Sequence, residues 1–216
     1  MNRGARTKPF LLVRDDFYRD PDAVRARAQA MAYAIPEGIT GYSSNRVHHE
    51  PGIRRRIERI LGARITRWDT DPDDGNGIFY MGLSRGARKE TPGVHTDEPA
   101  DDVTIVVYLT PGLPAAYGTS LWRHKATGLI FEPDRADARR LGTTLRKLRE
   151  RLERDSERRA RWEEIDRAGY KYNRMVAYPS GMLHSATRHY GGSLGEGRIY
   201  QTFRVGVDAR RCGLFK

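Results

Sequence analysis

Seven short segments of the sequence are rich in apolar and β-branched residues and are bounded by glycine or proline, which is the pattern of β-strands. They cover residues 78–83, 103–110, 120–125, 129–132, 174–178, 182–187 and 198–207. These segments do not alternate with helices one by one, as the strands of a parallel βαβ sheet do. The sequence therefore predicts a mainly β fold with flanking helices, in which an antiparallel sandwich or barrel is backed by helices.

Helical patterns lie before the strands and in one insertion between them. Asp20 and Pro21 suit the N-cap and the first turn of a helix, and residues 51–61 carry isoleucine and leucine on one side. In the insertion, four leucines recur at helical spacing on a highly charged background. We expect one domain, with an N-terminal helical support at 1–75, a core at 76–132 and 172–208, and a helical insertion at 133–168. A lid, an oligomer contact in a homodimer and a solvated flank all remain open as roles for the insertion.

The composition narrows the class of protein. The single cysteine, Cys212, excludes a disulfide framework and a cysteine-ligated zinc or iron–sulfur site. No apolar run approaches the roughly 18 residues of a transmembrane helix, and the apolar stretch near the N-terminus is too short for a signal peptide. We therefore expect a cytoplasmic protein without a membrane partner.

The formal net charge of +11 is compatible with a nucleic-acid partner. However, residues 132–168 contain 12 Lys or Arg and 10 Asp or Glu, so the most charged stretch is nearly balanced. The densest basic run, between Arg54 and Arg67, lies on an expected helix. We expect a solvated surface rather than a nucleic-acid interface, which stays open as the less favoured interpretation.

The residues with the clearest chemical meaning are His95 and Asp97, in a His-x-Asp motif. Side chains two residues apart share a face of an extended segment, so both can bind one metal ion. His184 begins a predicted strand after a Pro-Ser-Gly turn and is the best-placed third ligand. Two histidines and one carboxylate form the facial triad of non-haem Fe(II) enzymes. A lone His-x-Asp is common, and a loop histidine and a buried core histidine are the alternatives.

With these residues the chain resembles the Fe(II)/2-oxoglutarate-dependent dioxygenases, in particular their prolyl-4-hydroxylase-like branch. The resemblance covers residues 76–132 and 172–208 and implies a double-stranded β-helix, or jelly-roll, core. It assigns His95, Asp97 and His184 as metal ligands. It also implies that Arg198, which begins the last strand, binds 2-oxoglutarate together with Tyr108 and, more weakly, Tyr80.

The chain departs from the family pattern in one place that affects the co-substrate. The interval between His184 and Arg198 is longer than in compact family members, so Arg188 or Arg204 could replace Arg198. The alternation along the last strand favours Arg198 or Arg204, because both share its more polar face. A buried arginine is costly unless it is paired, and a bound dicarboxylate would pair it.

The resemblance implies an enzyme that uses Fe(II), 2-oxoglutarate and O2 to hydroxylate an unactivated C–H bond. We expect a small anionic or amino-acid-like substrate, free or carried in a peptide, contacted by Trp122, His124 and Arg204. The expectation of an anion rests on a surplus of arginines near the cavity: Arg85, Arg88, Arg123, Arg188 and Arg204. A nucleic-acid demethylase of the same chemistry and a non-catalytic cupin-like binding domain are the alternatives.

Overall fold

The computed structural model describes residues 11–35, 41–72, 75–86, 89–99, 102–208, 211–212 and 214. Arg88, one of the arginines expected near the cavity, lies outside the described residues. The elements follow in the order β1 (Leu12–Arg14), α1 (Pro21–Gln29), β2 (Tyr33–Ala34), β3 (Tyr42–Ser44), α2 (Ile53–Leu61), β4 (Ile65–Arg67), β5 (Phe79–Gly82), β6 (Val103–Tyr108), β7 (Thr119–His124), α3 (Arg135–Arg140), α4 (Leu145–Asp155), β8 (Trp162–Ala168), β9 (Met175–Pro179), β10 (His184–Ala186) and β11 (Arg198–Val207).

The strands form two antiparallel sheets. The large sheet has the order β1-β9-β6-β11-β5-β3-β2, and β4 pairs with the far end of β11. The small sheet has the order β10-β7-β8. Its edge is extended by two isolated antiparallel bridges, one between His95 and His184 and one between Phe131 and Met182.

The two faces of the large sheet have different neighbours, as the alternation along β6 predicts. On the outer face, Val103, Ile105 and Val107 belong to a hydrophobic cluster that also contains the buried residues of α1 and α2. On the inner face, Val106 and Tyr108 pack with Leu121 of the small sheet. The space between the sheets therefore lies on the opposite side of the large sheet from the N-terminal helices.

The insertion covers the outer face of the small sheet. A third hydrophobic cluster joins two leucines of α4 to residues of the small sheet and its neighbouring loops: Val94, Trp122, Leu129, Leu148, Leu152, Trp162 and Leu183. The side chain of Thr144 caps α4 by accepting a hydrogen bond from the Lys147 amide. The apolar stripe expected from the leucine spacing thus packs against protein rather than facing solvent.

Three secondary-structure expectations need correction. Residues 129–132 form only the bridge at Phe131, because Pro133 follows and ends the extended segment. Residues 133–168 are not helical throughout, since the last seven form β8, in which buried Trp162 and Ala168 flank more exposed residues. The N-terminal part contributes four strands to the large sheet as well as two helices.

The remaining expected strands and the mainly antiparallel fold class are confirmed. Within the described residues all strand pairs are antiparallel, and helices flank both sheets. Asp20 caps α1 through a side-chain bond to the Ala23 amide, with Pro21 in the first turn. Among the described residues, no helix has the length and apolarity needed to cross a bilayer.

The outer layer gives a test of how α2 is held. Ile57 is fully buried between α2 and the large sheet, so Ile57→Ala should lower the free energy of unfolding by about 2–4 kcal/mol in urea titrations. Ile60→Ala, on the same helix but only partly buried, should cost about 1 kcal/mol. Equal losses would contradict the packing of α2 described above.

Candidate metal centre

The three expected ligands meet at the edge of the small sheet. One potential ligand atom from each of His95, Asp97 and His184 lies within 4.8 Å of the others. The His95 amide donates to the His184 carbonyl at 3.0 Å, and the His184 amide donates to the His95 carbonyl at 2.9 Å. The Asp97 amide donates to the Ser180 carbonyl at 2.9 Å. Backbone pairing between two distant segments therefore brings the three side chains together.

The Asp97 carboxylate is buried and is held through both of its oxygens. Thr104 on β6 donates its hydroxyl to Oδ2 at 2.7 Å, and Arg204 on β11 donates from Nη2 to Oδ1 at 3.0 Å. Burial by itself raises the pKa of the Asp97 carboxyl. The neighbouring His184 ring and Arg204 guanidinium outweigh burial and lower that pKa to about 2. Asp97 is therefore ionised at neutral pH, as a metal ligand must be.

Both histidine rings are oriented by a hydrogen bond from Nδ1. Nδ1 of His95 lies 2.9 Å from the Gly93 carbonyl, and Nδ1 of His184 lies 2.8 Å from the Met182 carbonyl. A carbonyl can only accept, so Nδ1 carries a proton in each ring, and Nε2 is the nitrogen that can offer a lone pair to a metal. Burial, reinforced by the His95 ring, lowers the pKa of His184 to about 4, which keeps this imidazole neutral at pH 7.

The donor set fits a divalent transition metal with open coordination positions. Two imidazoles and one carboxylate on adjacent segments match the facial triad of non-haem Fe(II) sites. Among the described residues this is the one group of three such side chains close enough to bind an ion. His95 is exposed, whereas Asp97 and His184 are buried, so the cluster is reached from the His95 side.

Arg198 is buried further along the inner face of β11, with 1% of its surface exposed. Its Nε donates to the Tyr117 carbonyl at 2.8 Å and its Nη2 to the Gly118 carbonyl at 3.2 Å. Its guanidinium carbon lies 4.7 Å from the ring centre of Tyr200 and 5.2 Å from that of Tyr108. No carboxylate of the described residues forms an ion pair with Arg198. Burying a cation without a paired anion is unfavourable, so the surroundings of Arg198 favour a bound anion.

The two tyrosines expected beside the co-substrate lie next to Arg198 or one ring away. Tyr108 contacts the guanidinium with its ring, while its hydroxyl donates to Thr119 at 2.8 Å. Burial raises the pKa of Tyr108 to about 12. Tyr80 stacks on Tyr200 with ring centres 5.6 Å apart. The sequence indicated Tyr80 and Tyr108 as members of this aromatic group, but not the hydrogen bond between Tyr108 and Thr119.

The other expected arginines differ in their surroundings. Arg204 is committed to Asp97 by the hydrogen bond described above, and Arg188 is exposed. Arg204 keeps one buried nitrogen, Nε, without a hydrogen-bond partner. Arg198 is therefore the arginine of this group that combines full burial with no carboxylate partner among the described residues.

The structure does not bring Trp122 and His124 to the cluster, contrary to the expectation that they contact substrate. The indole of Trp122 donates to the Ser185 hydroxyl at 3.0 Å on the outer face of the small sheet. Nε2 of His124 lies 3.2 Å from the carboxylate of Asp155 in α4. Side chains alternate along a strand, and Leu121 takes the inner face, so its neighbour Trp122 points outward.

The sequence patterns did not single out two residues of this region, Thr104 and His189. Thr104, the partner of Asp97, is on the more polar face of β6, which was a usable signal. His189 gave no such signal, because its position depends on a glycine from another strand. Gly82 pairs with Arg198 across the sheet, and a Cβ at Gly82 would lie 2.0 Å from Nδ1 of His189. The missing side chain makes room for the His189 ring beside Arg198.

A family model covers the segments that carry His95, Asp97 and His184. The model of DUF6445, described as a family of unknown function, matches residues 86–194, just over half of the 216-residue chain. The chain belongs to the DUF6445 family. No curated protein matches this DUF6445 chain.

Solved structures resemble this DUF6445 chain in fold. HygX from Streptomyces hygroscopicus with nickel and 2-oxoglutarate bound has a TM-score of 0.50 at 12% identity, covering 92% of this chain and 83% of that one. HygX with nickel, 2-oxoglutarate and hygromycin B bound gives 0.47 at the same identity and coverage. A Pseudomonas putida prolyl-4-hydroxylase gives 0.38 at 14% identity, covering 92% and 93%. The first likeness confirms the predicted fold class, a jelly-roll core with flanking helices.

The buried His189 gives a pH-dependent prediction. Its side chain is 8% exposed, and burial, together with nearby Arg198, lowers its pKa from 6.5 to about 3. Below pH 6.5 the unfolded chain therefore binds a proton that the folded chain does not, and stability is lost as the pH falls. Relative to His189→Gln, the wild type should lose on the order of 1 kcal/mol per pH unit between pH 6 and pH 4. Parallel stability curves for the two proteins in urea would contradict this placement.

Proposed function

We propose that this protein is a non-haem Fe(II)- and 2-oxoglutarate-dependent dioxygenase that hydroxylates a C–H bond of a small or peptide-borne substrate. One observation carries the proposal. A His-Asp-His cluster lies at the edge of the small sheet, where His184 pairs with the inner-face residue Leu121. A buried arginine with no carboxylate partner among the described residues, Arg198, lies on the inner face of β11. The cluster suits a divalent metal, and Arg198 suits the carboxylate of a second ligand.

The metal would be held by Nε2 of His95, Nε2 of His184 and the carboxylate of Asp97. Iron bound there would supply oxidation chemistry coupled to the decarboxylation of 2-oxoglutarate by O2. The role of the chain is to keep the ligands oriented and in the right protonation state. Thr104 and Arg204 hold the Asp97 carboxylate from two sides, so its orientation does not depend on the metal.

Arg198 would bind the distal carboxylate of 2-oxoglutarate. Its Nε and Nη2 are fixed by two carbonyl groups, and Nη1 makes no hydrogen bond with the described residues. The guanidinium is therefore oriented before the ligand arrives, which reduces the entropy lost on binding. Tyr108 supports it with its ring rather than through its hydroxyl, which already donates to Thr119. Tyr80 would contribute through Tyr200, on which it stacks.

Three of the five arginines that suggested an anionic substrate are paired with carboxylates. Arg85 pairs with Glu196, Arg123 pairs with Glu163, and Arg204 pairs with Asp97. A paired guanidinium exerts much less attraction on an incoming anion than a free one. The proposal therefore retains a small or peptide-borne substrate that approaches from the exposed His95 side, without a commitment to its charge.

The positions of the basic residues support a nucleic-acid demethylase less than the net charge alone did. The basic run between Arg54 and Arg67 belongs largely to α2, whose buried side packs on the outer face of the large sheet. The metal cluster lies beyond the inner face of that sheet. Nucleic acid bound to the arginines of α2 would thus lie on the far side of the sheet from the ligands. The following experiment distinguishes a dioxygenase from a non-catalytic cupin-like domain.

Anaerobic addition of Fe(II) and then 2-oxoglutarate to the apo protein should produce a visible metal-to-ligand charge-transfer band. The band reports chelation of the metal by the co-substrate, so it does not require the substrate. Asp97→Ala should abolish it, because loss of a buried ligand weakens metal binding by at least about 10- to 100-fold. A wild type without the band would overturn the dioxygenase proposal in favour of a non-catalytic domain. A band that persists in Asp97→Ala would exclude Asp97 as a ligand.

Arg198→Gln should weaken 2-oxoglutarate binding by about 10- to 100-fold, the usual value of a charge-assisted hydrogen bond. The titration uses the same absorption band at fixed Fe(II). Arg85→Gln is the matched control, because its exposed pair with Glu196 is on the surface, and it should bind 2-oxoglutarate as the wild type does. If Arg198→Gln retains full affinity, Arg204 or Arg188 must bind the co-substrate instead.

A further inference from the structure

The metal loop, defined here as residues 93–97, presents two different faces. His95 and Asp97 face the cluster, and the alternating residues Val94 and Thr96 point the other way. An extended loop has few contacts of its own, so the orientation of its ligand face depends on what holds the opposite face. Both Val94 and Thr96 are held by groups connected with α4.

Val94 is fixed by apolar packing and by a backbone hydrogen bond. Its side chain is 4% exposed and belongs to the same hydrophobic cluster as Leu148 and Leu152 of α4. Its amide donates at 3.0 Å to the carbonyl of Ser156, the residue that ends α4. The start of the metal loop is thus attached to the C-terminal end of the helix.

Thr96 is fixed through a single carboxylate. Its hydroxyl donates to Oε2 of Glu132 at 2.8 Å, and Oε1 of the same carboxylate accepts from Nη2 of Arg149 in α4 at 2.8 Å. The Glu132 amide donates to the Gly181 carbonyl at 2.7 Å. Glu132 therefore links the metal loop, α4 and the turn that precedes His184.

The helix itself is anchored to the small sheet. His124 of β7 lies 3.2 Å from the Asp155 carboxylate, and the indole of Trp162 donates to the Asp155 carbonyl at 2.7 Å. Both His124 and Asp155 are buried. These contacts attach the end of α4 to two strands of the sheet that carries His184. A helix held in this way can act as a fixed support for the loop.

We propose that α4 is the support that positions the metal loop, with Thr96 and Glu132 as positioning residues for the ligands His95 and Asp97. The insertion then acts on metal affinity rather than as a lid or a solvated flank. This inference rests on the proposed function only in taking His95 and Asp97 as ligands. The positioning of the loop is a property of the apo protein and can be measured without a metal.

The test measures Co(II) affinity by titration calorimetry, with the visible Co(II) spectrum as a report on ligand geometry. Thr96→Val and Glu132→Ala should each weaken Co(II) binding about three- to tenfold, less than the loss of a group bonded directly to a ligand. The double variant should bind Co(II) at most about twofold more weakly than the weaker-binding single variant. Both single changes remove the same Thr96–Glu132 hydrogen bond, so their effects should not add. Thr96→Ser keeps the hydroxyl and should bind Co(II) as the wild type does.

Two further variants lie on α4. Arg146→Met is the control: it removes an exposed ion pair with Glu150 on the same helix and should leave Co(II) affinity unchanged. Arg149→Met cuts the link between Glu132 and α4 and should weaken Co(II) binding about two- to fivefold, the value of a partly exposed ion pair. Unchanged affinity in Arg149→Met would overturn α4 as the support of the loop. The exposed variant Arg146→Met should melt within about 2 °C of the wild type, and the variants of the part-buried residues Thr96 and Glu132 within about 5 °C.

A second measurement separates this inference from the proposed function. In the apo protein, the His95 and Asp97 amides donate hydrogen bonds to carbonyls of the segment 180–184. Thr96→Val should speed the hydrogen exchange of these two amides several-fold, whereas Arg146→Met should not change it.

If the wild type binds Co(II) but Thr96→Val and Glu132→Ala bind it equally well, the support role is overturned and the metal site stands. If the wild type does not bind Co(II), the metal site is overturned, and unchanged exchange in Thr96→Val would then overturn the support role as well.

Discussion

The reciprocal backbone hydrogen bonds between His95 and His184 are the interaction on which the rest of the centre depends. They pair a loop before β6 with a strand near the end of the chain and bring the two imidazole rings to a centroid distance of 4.4 Å. The same pairing continues at Asp97, whose amide bonds to Ser180. Because the bonds come from the backbone, the ligands meet without any need for a metal to draw them together. The orientation of each ring is then set by its own Nδ1 and a carbonyl two residues away.

Charge along β11 explains why such a centre would need two ligands rather than one. Arg198 and Arg204 share a strand face and are separated by six residues, or about 20 Å along the strand. Arg204 is neutralised by Asp97, whereas Arg198 has no carboxylate among the described residues. A divalent ion alone would add positive charge to an interior that is already positive. A dicarboxylate bound together with the ion, as in the proposed function, would offset that charge at both ends.

The sequence indicated the members of the His-Asp-His cluster more directly than it indicated their surroundings. The His-x-Asp spacing fixes a shared face whatever the rest of the fold does, so the positions of His95 and Asp97 followed from local geometry. The choice between Arg198 and Arg204 did not, because both lie on the same face and only the tertiary position of Asp97 distinguishes them. The substrate contact expected of Trp122 depends on the phase of a short strand, and β7 has a register shift beside this residue.

The packing of α4 against the small sheet follows from how that sheet is stabilised. A sheet that places polar ligands such as His184 on its inner face buries less apolar surface there, so much of its hydrophobic stabilisation must come from the outer face. Trp122 and Leu183 supply that outer surface, and the narrow leucine stripe of α4 covers it. The charged residues of α4 occupy the remaining side of the helix. The contacts that bury the outer face also reach Val94, so the packing that stabilises the small sheet is continuous with the packing that holds the metal loop.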